Sequence, residues 1–279
     1  VTEDAGEYRM QTTSWRPDAI DTTVPSVARM YDYYLGGSDH YAADRAASEE
    51  LLKRVPSTRA LAVNNRRFLR RAVRVLARDY GIRQFIDHGS GLPTRDNVHQ
   101  VAQEVDPDCR VVYIDNDPIV LAHGRALLDE NERTTVVQAD LRDTEGILRH
   151  EETRRLIDFT RPVAALFVSV LHCIPDESDP AALLRRVAGA LAPGSFLVVC
   201  QLVSERPEIR GYVTDFMAET TGGTWGRVRE ECEVRGYLDG FEILEPGLVE
   251  VSQWRPDSDL APVQQTDEWI EWGGIARIG

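Results

Sequence analysis

Three aspartates stand at or just past the ends of successive apolar runs. Asp87 follows Phe85-Ile86, Asp115 closes Arg110-Val-Val-Tyr-Ile-Asp, and Asp140 closes Thr135-Val-Val-Gln-Ala-Asp. Two glycines follow the first acid, in Asp87-His-Gly89-Ser-Gly91. Glycine in such a turn reaches positive φ and lets a ligand approach the backbone without meeting a Cβ. A carboxylate about 24 residues past the second glycine is suited to accept hydrogen bonds from a ribose diol. Asp140 and the backbone after it could read an adenine edge. Taken singly, each acid also reads as a helix cap or turn former. In register behind a Gly-x-Gly turn, the three read as one nucleoside-binding crevice.

The dinucleotide fingerprint needs a third Gly or Ala three positions after the second. That place holds Thr94, preceded by Pro93. The close helix–strand approach that a pyrophosphate prefers is therefore not encoded. A Gly-Lys-Ser/Thr phosphate loop is also lacking, so the pattern favours an adenosine without phosphates. A nicotinamide-dependent oxidoreductase is the weaker alternative.

The acids converge only if their runs lie side by side in a parallel sheet. Apolar positions from Leu61 to Leu76 have helical spacing, and Gly81 ends that helix. A strand over 84–87 leads into the glycine turn, and Pro93-Thr94 open the next helical segment. The strand over 110–115 is followed by Asp117-Pro118, an N-cap with a proline at the first helical position. Strands over 135–140, 163–171 and 196–202 alternate with helices near 144–157 and after Asp179-Pro180. The 163–171 run is apolar throughout, as in a central strand buried on both faces. This alternation predicts a doubly wound, Rossmann-like α/β fold with helices on both faces of a mostly parallel sheet. Two late strands, 241–251 and 269–277, have no helix between them. They predict an antiparallel C-terminal edge and seven strands in all.

Residues 1–16 read as a loose tail. Ser26 can cap a short helix through Val27, Met30, Tyr31 and Tyr34, which Gly36-Gly37 ends. This aromatic stretch reads either as a helix packed on the sheet edge or as a lid over the ligand, and the two are compatible. The expected organisation is a tail and helical lid over 1–58 and a cofactor-binding sheet domain over 59–279.

The 279 residues are 42% hydrophobic, enough for a substantial core. A net charge of −14 argues against a broad phosphate-binding surface, so nucleic acid is not an expected partner. No apolar run approaches a membrane span, and the polar first residues lack a signal-peptide core. A cytoplasmic protein is expected. The four cysteines have no C-x-x-C spacing and read as free thiols. The histidines form no H-x-x-x-H pair, so no metal site is expected.

As an ordered set, Ile86-Asp-His-Gly-Ser-Gly91, Val112-Tyr-Ile-Asp115, Gln138-Ala-Asp140 and Ser169-Val-Leu-His172 resemble class I S-adenosylmethionine-dependent methyltransferases. Tyr31-Asp-Tyr-Tyr-Leu-Gly-Gly-Ser-Asp-His40, Leu92-Pro-Thr94, Asp115-Asn-Asp-Pro118 and Glu245-Pro-Gly247 make the chain similar to an actinobacterial group within them, described as a domain of unknown function. The resemblance implies S-adenosyl-L-methionine as cofactor and a site built as follows. Gly89 and Gly91, with Asp87, would face its methionine portion. Asp115 would hold the ribose, Asn116 would lie beside the adenosine, and Asp140 with Leu141 would flank the adenine. Ser169 and His172 would line the reaction side, and Tyr31, Tyr33 and His40 would belong to the lid. Tyrosine faces suit a sulfonium through cation–π attraction, though the same tyrosines also read as core.

Methyl transfer from a sulfonium needs alignment and exclusion of water more than acid–base chemistry. If the acceptor must lose a proton, His172 is the first candidate base by position and His40 the second. His172 reads equally as a loop cap. The Asn/Asp-Pro-Pro-aromatic motif of amide N-methyltransferases is absent after the fourth strand. The function expected is methyl transfer to a small-molecule acceptor, with a homodimer as the assembly to consider and no membrane partner. The alternative is a non-catalytic S-adenosylmethionine- or nucleoside-binding regulatory protein.

Overall fold

The computed structural model describes residues 21–94, 96–128, 131–258, 263–264, 266 and 268–279. The expected tail over 1–16 and the late loop proline Pro262 lie outside the described residues.

Among the described residues three helices precede the first strand: α1 (Val27–Tyr34), α2 (Ala42–Arg54) and α3 (Thr58–Asp79). The alternating part follows as β1 (Gln84–His88), α4 (Val98–Val105), β2 (Arg110–Asp115), α5 (Pro118–Leu128) and β3 (Thr134–Gln138). After it come α6 (Thr144–Arg149), α7 (Glu151–Leu156), β4 (Ala164–Val168), α8 (Pro180–Gly189) and β5 (Phe196–Val203). The chain ends with α9 (Pro207–Thr220), α10 (Glu231–Tyr237), β6 (Glu242–Ile243), β7 (Val249–Glu250) and β8 (Ile270–Arg277).

The sheet order is β3-β2-β1-β4-β5-β8-β6, with β7 also pairing β8. β1 to β5 run parallel, and β8 is antiparallel to β5, β6 and β7. Strand order therefore reverses between β1 and β4, where a doubly wound sheet opens a crevice at its carboxyl edge. Side chains alternate across β1: Phe85 enters the core beneath α3 and α4, and Ile86 enters the opposite core with α8 and α10. Leu69, Val73 and Leu76 of α3 recur at helical spacing in the first of these cores. Each such fully buried side chain contributes about 1.5–3 kcal/mol relative to exposure.

Among the described residues eight strands form where seven were expected. Pro246, which has no N–H to give a ladder, and Gly247, at φ +97°, divide the 241–251 run into two short strands on β8. The helix expected over 144–157 also divides, at His150, whose ring nitrogen accepts the Glu152 N–H at 3.2 Å and starts α7. All four cysteines are free thiols. No helix among the described residues is long and apolar enough to cross a membrane.

α1 and α2 lie over the carboxyl edge and share a third core with α3 and α9, through Met30, Leu51, Val55, Leu61, Val213 and Met217. Fully buried Asp44 organises their start, accepting hydrogen bonds from the Ser26 and Tyr41 backbones and from Arg29 Nε. Ser26 does not cap α1 with its side chain as the sequence suggested. Its hydroxyl donates instead to Asp117 at the turn after β2.

Candidate active site

The carboxyl ends of β1, β2, β4 and β5, with β8 beside them, open into a cavity of about 700 Å³ roofed by α1 and part of α9. That volume lies within the range of small-ligand sites. At its floor, Gly89 and Gly91 adopt φ +72° and +65°. A Cβ on Gly89 would stand 2.2 Å from Val170 Cγ2, so the turn is closed to any side chain there. Gly89 and Ser90 donate to the Ile114 carbonyl, fixing the turn against β2.

Asp115 holds the same turn from the neighbouring strand. Its Oδ2 accepts the Gly91 N–H at 2.8 Å and its Oδ1 the Asp117 N–H at 2.9 Å. Burial raises its pKa, against the opposing pull of these backbone donors. Asp87 is buried behind the turn, and burial pushes its pKa up to about 7 although Arg66 lies near enough to oppose the shift. Helix α4 begins only at Val98, so the expected helix N-terminus directly behind the turn is not found. Asn97 and Gln100 cap that helix reciprocally, and Asn97 Oδ1 also accepts from the Thr94 N–H and from Arg66.

Of the residues singled out in the sequence, Tyr31, Asp87, Gly89, Gly91, Asp115, Asn116, Asp140, Leu141, Ser169 and His172 line this one cavity. Tyr33 and His40 are not among its lining residues. The Tyr33 hydroxyl donates to Glu49, its ring lies under Arg59, and His40 is bonded to Asp32 at 2.9 Å within the N-terminal segment. Helical spacing explains this outcome. Tyr31 and Tyr33 are two residues apart and cannot share a face of α1.

His172 lines the cavity, but its surroundings make it a poor base. It is buried, its Nδ1 accepts the Leu202 N–H at 3.3 Å, and its ring lies against Trp225. Burial, helped by the Arg229 charge, drives its pKa down to about 3. Asp140 is also committed elsewhere, with its carboxylate forked by Arg142 and its pKa lowered mainly by that contact.

Among the cavity residues that went unmarked in the sequence are two charged ones, Arg66 and Glu271. Arg66 sits in an arginine-rich stretch of α3 whose spacing distinguishes none of its members, and its Nε is buried with no partner. Glu271 is buried in β8, bonded to Ser169 and Cys200. An acid between Ile270 and Trp272 in a strand-like run was the available signal.

The sequence profile of the family described as S-adenosyl methyltransferase matches residues 13–279. The chain belongs to that family. The methyltransferase is similar to a candidate methyltransferase from Thermobifida fusca YX at 42% identity, covering 95% of this chain and 99% of the other, with a TM-score of 0.85. It is similar also to a DUF574 family protein from Streptomyces avermitilis MA-4680 at 37% identity, covering 93% and 99%, with a TM-score of 0.85. None of the curated proteins matches it. The methyltransferase is thus an S-adenosylmethionine-dependent enzyme, and the comparisons lend no support to the non-catalytic alternative. Its cavity suits that cofactor: a left-handed glycine floor, an acid on the next strand bonded to that floor, and a buried guanidinium nitrogen, with no partner among the described residues, near a buried carboxyl.

Proposed function

We propose that this methyltransferase acts on a small-molecule acceptor bound beneath the N-terminal helices, with its cofactor on the glycine turn. The observation that carries the reading is the clamp between Asp115 and Gly91 at the floor of a single roofed cavity. S-adenosylmethionine, when bound, supplies the activated methyl group.

The protein's own residues divide the binding work. Each Asp115 oxygen has spent one lone pair on a backbone N–H and keeps another for a ribose hydroxyl. Asn116, Leu141 and the backbone beside Asp140 border the adenine. Because Arg142 occupies the Asp140 carboxylate, shape and backbone do more there than a free acid would. Arg66 and Asp87 both line the cavity, the guanidinium near enough to act on the carboxyl, and together they suit a zwitterionic amino-acid tail, with the guanidinium toward its carboxylate and the acid toward its ammonium. Gly89 and Gly91 let that tail lie against the backbone. Tyr31 is fixed for a wall position, donating to the Ala62 carbonyl and accepting from Asn65.

The segment before α3 serves as the lid, excluding water from the transfer. A cavity roofed in this way suits a small acceptor better than a polymer, and the net charge of −14 points the same way. Calorimetry with S-adenosylmethionine and S-adenosylhomocysteine on ligand-free protein tests the cofactor site. Saturable one-to-one binding is expected, and its absence would overturn the reading. A panel of small acceptors followed by mass spectrometry of methylated products tests the acceptor class.

A further inference from the structure

Glu271 has no part in the cofactor site described above, yet it is buried at the cavity wall. Its Oε1 accepts the Ser169 hydroxyl at 2.5 Å, and its Oε2 accepts the Cys200 thiol at 3.0 Å. Cys200 stands opposite Gly273 and Leu202 opposite Glu271, and β8 packs so closely on β5 here that a Cβ on Gly273 would stand 2.0 Å from the Val199 carbonyl oxygen. Ser169 is held for its contact in an unusual conformation, with φ +58° and its N–H on the Cys200 carbonyl. A non-glycine residue held there costs of order 1 kcal/mol or more, which marks functional sites more often than ordinary turns.

The groups around Glu271 leave it without a balancing positive charge. Tyr31 comes from α1, Cys173 from the turn after β4, Cys200 from β5 and Glu250 from β7. Burial raises the tyrosine and both thiols, so they are neutral, and Glu250 adds negative charge. Burial foremost brings the Glu271 carboxyl to about 7, within reach of either protonation state under ordinary conditions. The same part of the cavity is walled by Met30, Leu202, Met217, Trp225 and Trp269. Both of these indole N–H groups are buried without a partner among the described residues. An apolar body carrying oxygen atoms satisfies such a wall.

We propose that Glu271 is the general base of the methyl transfer, and that the acceptor is an apolar compound with an acidic hydroxyl of the phenol or enol type. This rests on the cofactor site proposed above. The acceptor O–H bond breaks and its proton passes to the Glu271 carboxylate. The electron pair left on oxygen forms the new bond to the methyl carbon. The carbon–sulfur bond breaks with its pair retained on sulfur, leaving a neutral thioether. Glu271 then releases the proton to water. Ser169 is a positioning residue that holds the carboxylate toward the acceptor. A phenolic hydroxyl, titrating near about 10, lies within a few units of such a carboxyl, whereas an unactivated alcohol is far weaker as an acid.

Calorimetry of two probes, methyl 4-hydroxybenzoate and its hydroxyl-free counterpart methyl benzoate, tests this on protein saturated with S-adenosylhomocysteine. The hydroxylated ester should bind about tenfold more tightly once Glu271 is ionised, the size of a hydrogen bond to a charged group. That preference should emerge as pH rises through about 7. Glu271→Gln should abolish its pH dependence while leaving S-adenosylhomocysteine affinity within about threefold, a ratio well under 1 kcal/mol. Ser169→Ala removes a donor that lowers the Glu271 pKa, so the onset should move to higher pH. Equal binding of both probes by the wild type, or a pH-dependent preference retained in Glu271→Gln, would overturn the proposal. So would an unmoved onset in Ser169→Ala, which decides the matter if the glutamine variant does not fold. Failure of S-adenosylhomocysteine to bind the wild type would instead bring down the cofactor site itself, and the proposal with it.

Discussion

The Ser26 hydroxyl donates to Asp117 Oδ2 at 2.7 Å, while Oδ1 of that carboxylate accepts the Ile119 N–H at 2.9 Å. One acid therefore starts α5 and also fastens the beginning of α1 across the crevice. Ser26→Ala removes only the second duty. The loss of about 1 kcal/mol should weaken S-adenosylhomocysteine binding about fivefold by calorimetry. Helical content in circular dichroism should not change, because the cap on α5 remains.

Arg66 offers a sharper test of how the cofactor lies. Arg66→Met keeps the length of the aliphatic stem but removes the charge. S-adenosylhomocysteine should bind about 30- to 100-fold more weakly, the scale of a lost charge-assisted hydrogen bond. 5′-Methylthioadenosine, which has no amino-acid tail, should bind the variant and the wild type alike. Equal losses for both ligands would move Arg66 away from the tail.

Gly89→Ala combines a left-handed φ of +72° with a Cβ 2.2 Å from Val170 Cγ2. Strain and overpacking together should cost about 2–4 kcal/mol in urea denaturation. Gly89→Ala/Val170→Ala should recover part of that loss, since the second change removes the 2.2 Å contact with Cγ2 and leaves the φ penalty and a tight 2.9 Å approach to the Val170 Cβ. A double mutant no better than the sum of its parts would show that the contact is not the source.

The sequence marks the proposed cofactor floor more clearly than the proposed acceptor wall. Gly89, Gly91 and Asp115 were legible because a turn behind a strand limits which residues fit, and the spacing alone places the acid on the next strand. Tyr33 and His40 were expected in the lid from the resemblance of their segment, but α1 turns Tyr33 toward Glu49, and His40, beyond the end of that helix, is held by Asp32. His172 lines the cavity, and its lost basicity comes from burial first and then from Arg229; that residue and Trp225, against which the ring lies, are more than fifty residues away. Glu271 and Arg66 depend on contacts between β8, α3 and the end of β4 that no local pattern encodes. Strands β6 and β7 were expected as one run over 241–251, because the apolar pattern outweighed the break that Pro246 and Gly247 make in the ladder.

Protonation of Glu271 should be visible in folding stability as well as in binding. Burial raises its carboxyl from 4.5 to about 7, so the folded state holds this proton more tightly than the unfolded chain does. The associated stabilisation is complete below the unfolded value and is lost as pH rises through about 7. Glu271→Gln carries no such proton. Its stability relative to wild type should improve by up to about 3 kcal/mol between pH 4 and 8. Urea denaturation across that range measures it, and a constant difference would show that Glu271 does not titrate.

The core shared by Met30, Leu51, Val55, Leu61, Val213 and Met217 sets how cargo is exchanged. Swinging α1 and α2 away as a unit would expose those side chains at a cost on the order of 10 kcal/mol. So rare an opening could not keep pace with turnover. Traffic is therefore expected to pass through a narrow gate near residues 21–26, with both helices still seated. Residence time would then be set by that gate, making dissociation of S-adenosylhomocysteine slow and Ser26→Ala faster in stopped-flow measurements. A dissociation rate that Ser26→Ala leaves unchanged would place the gate elsewhere.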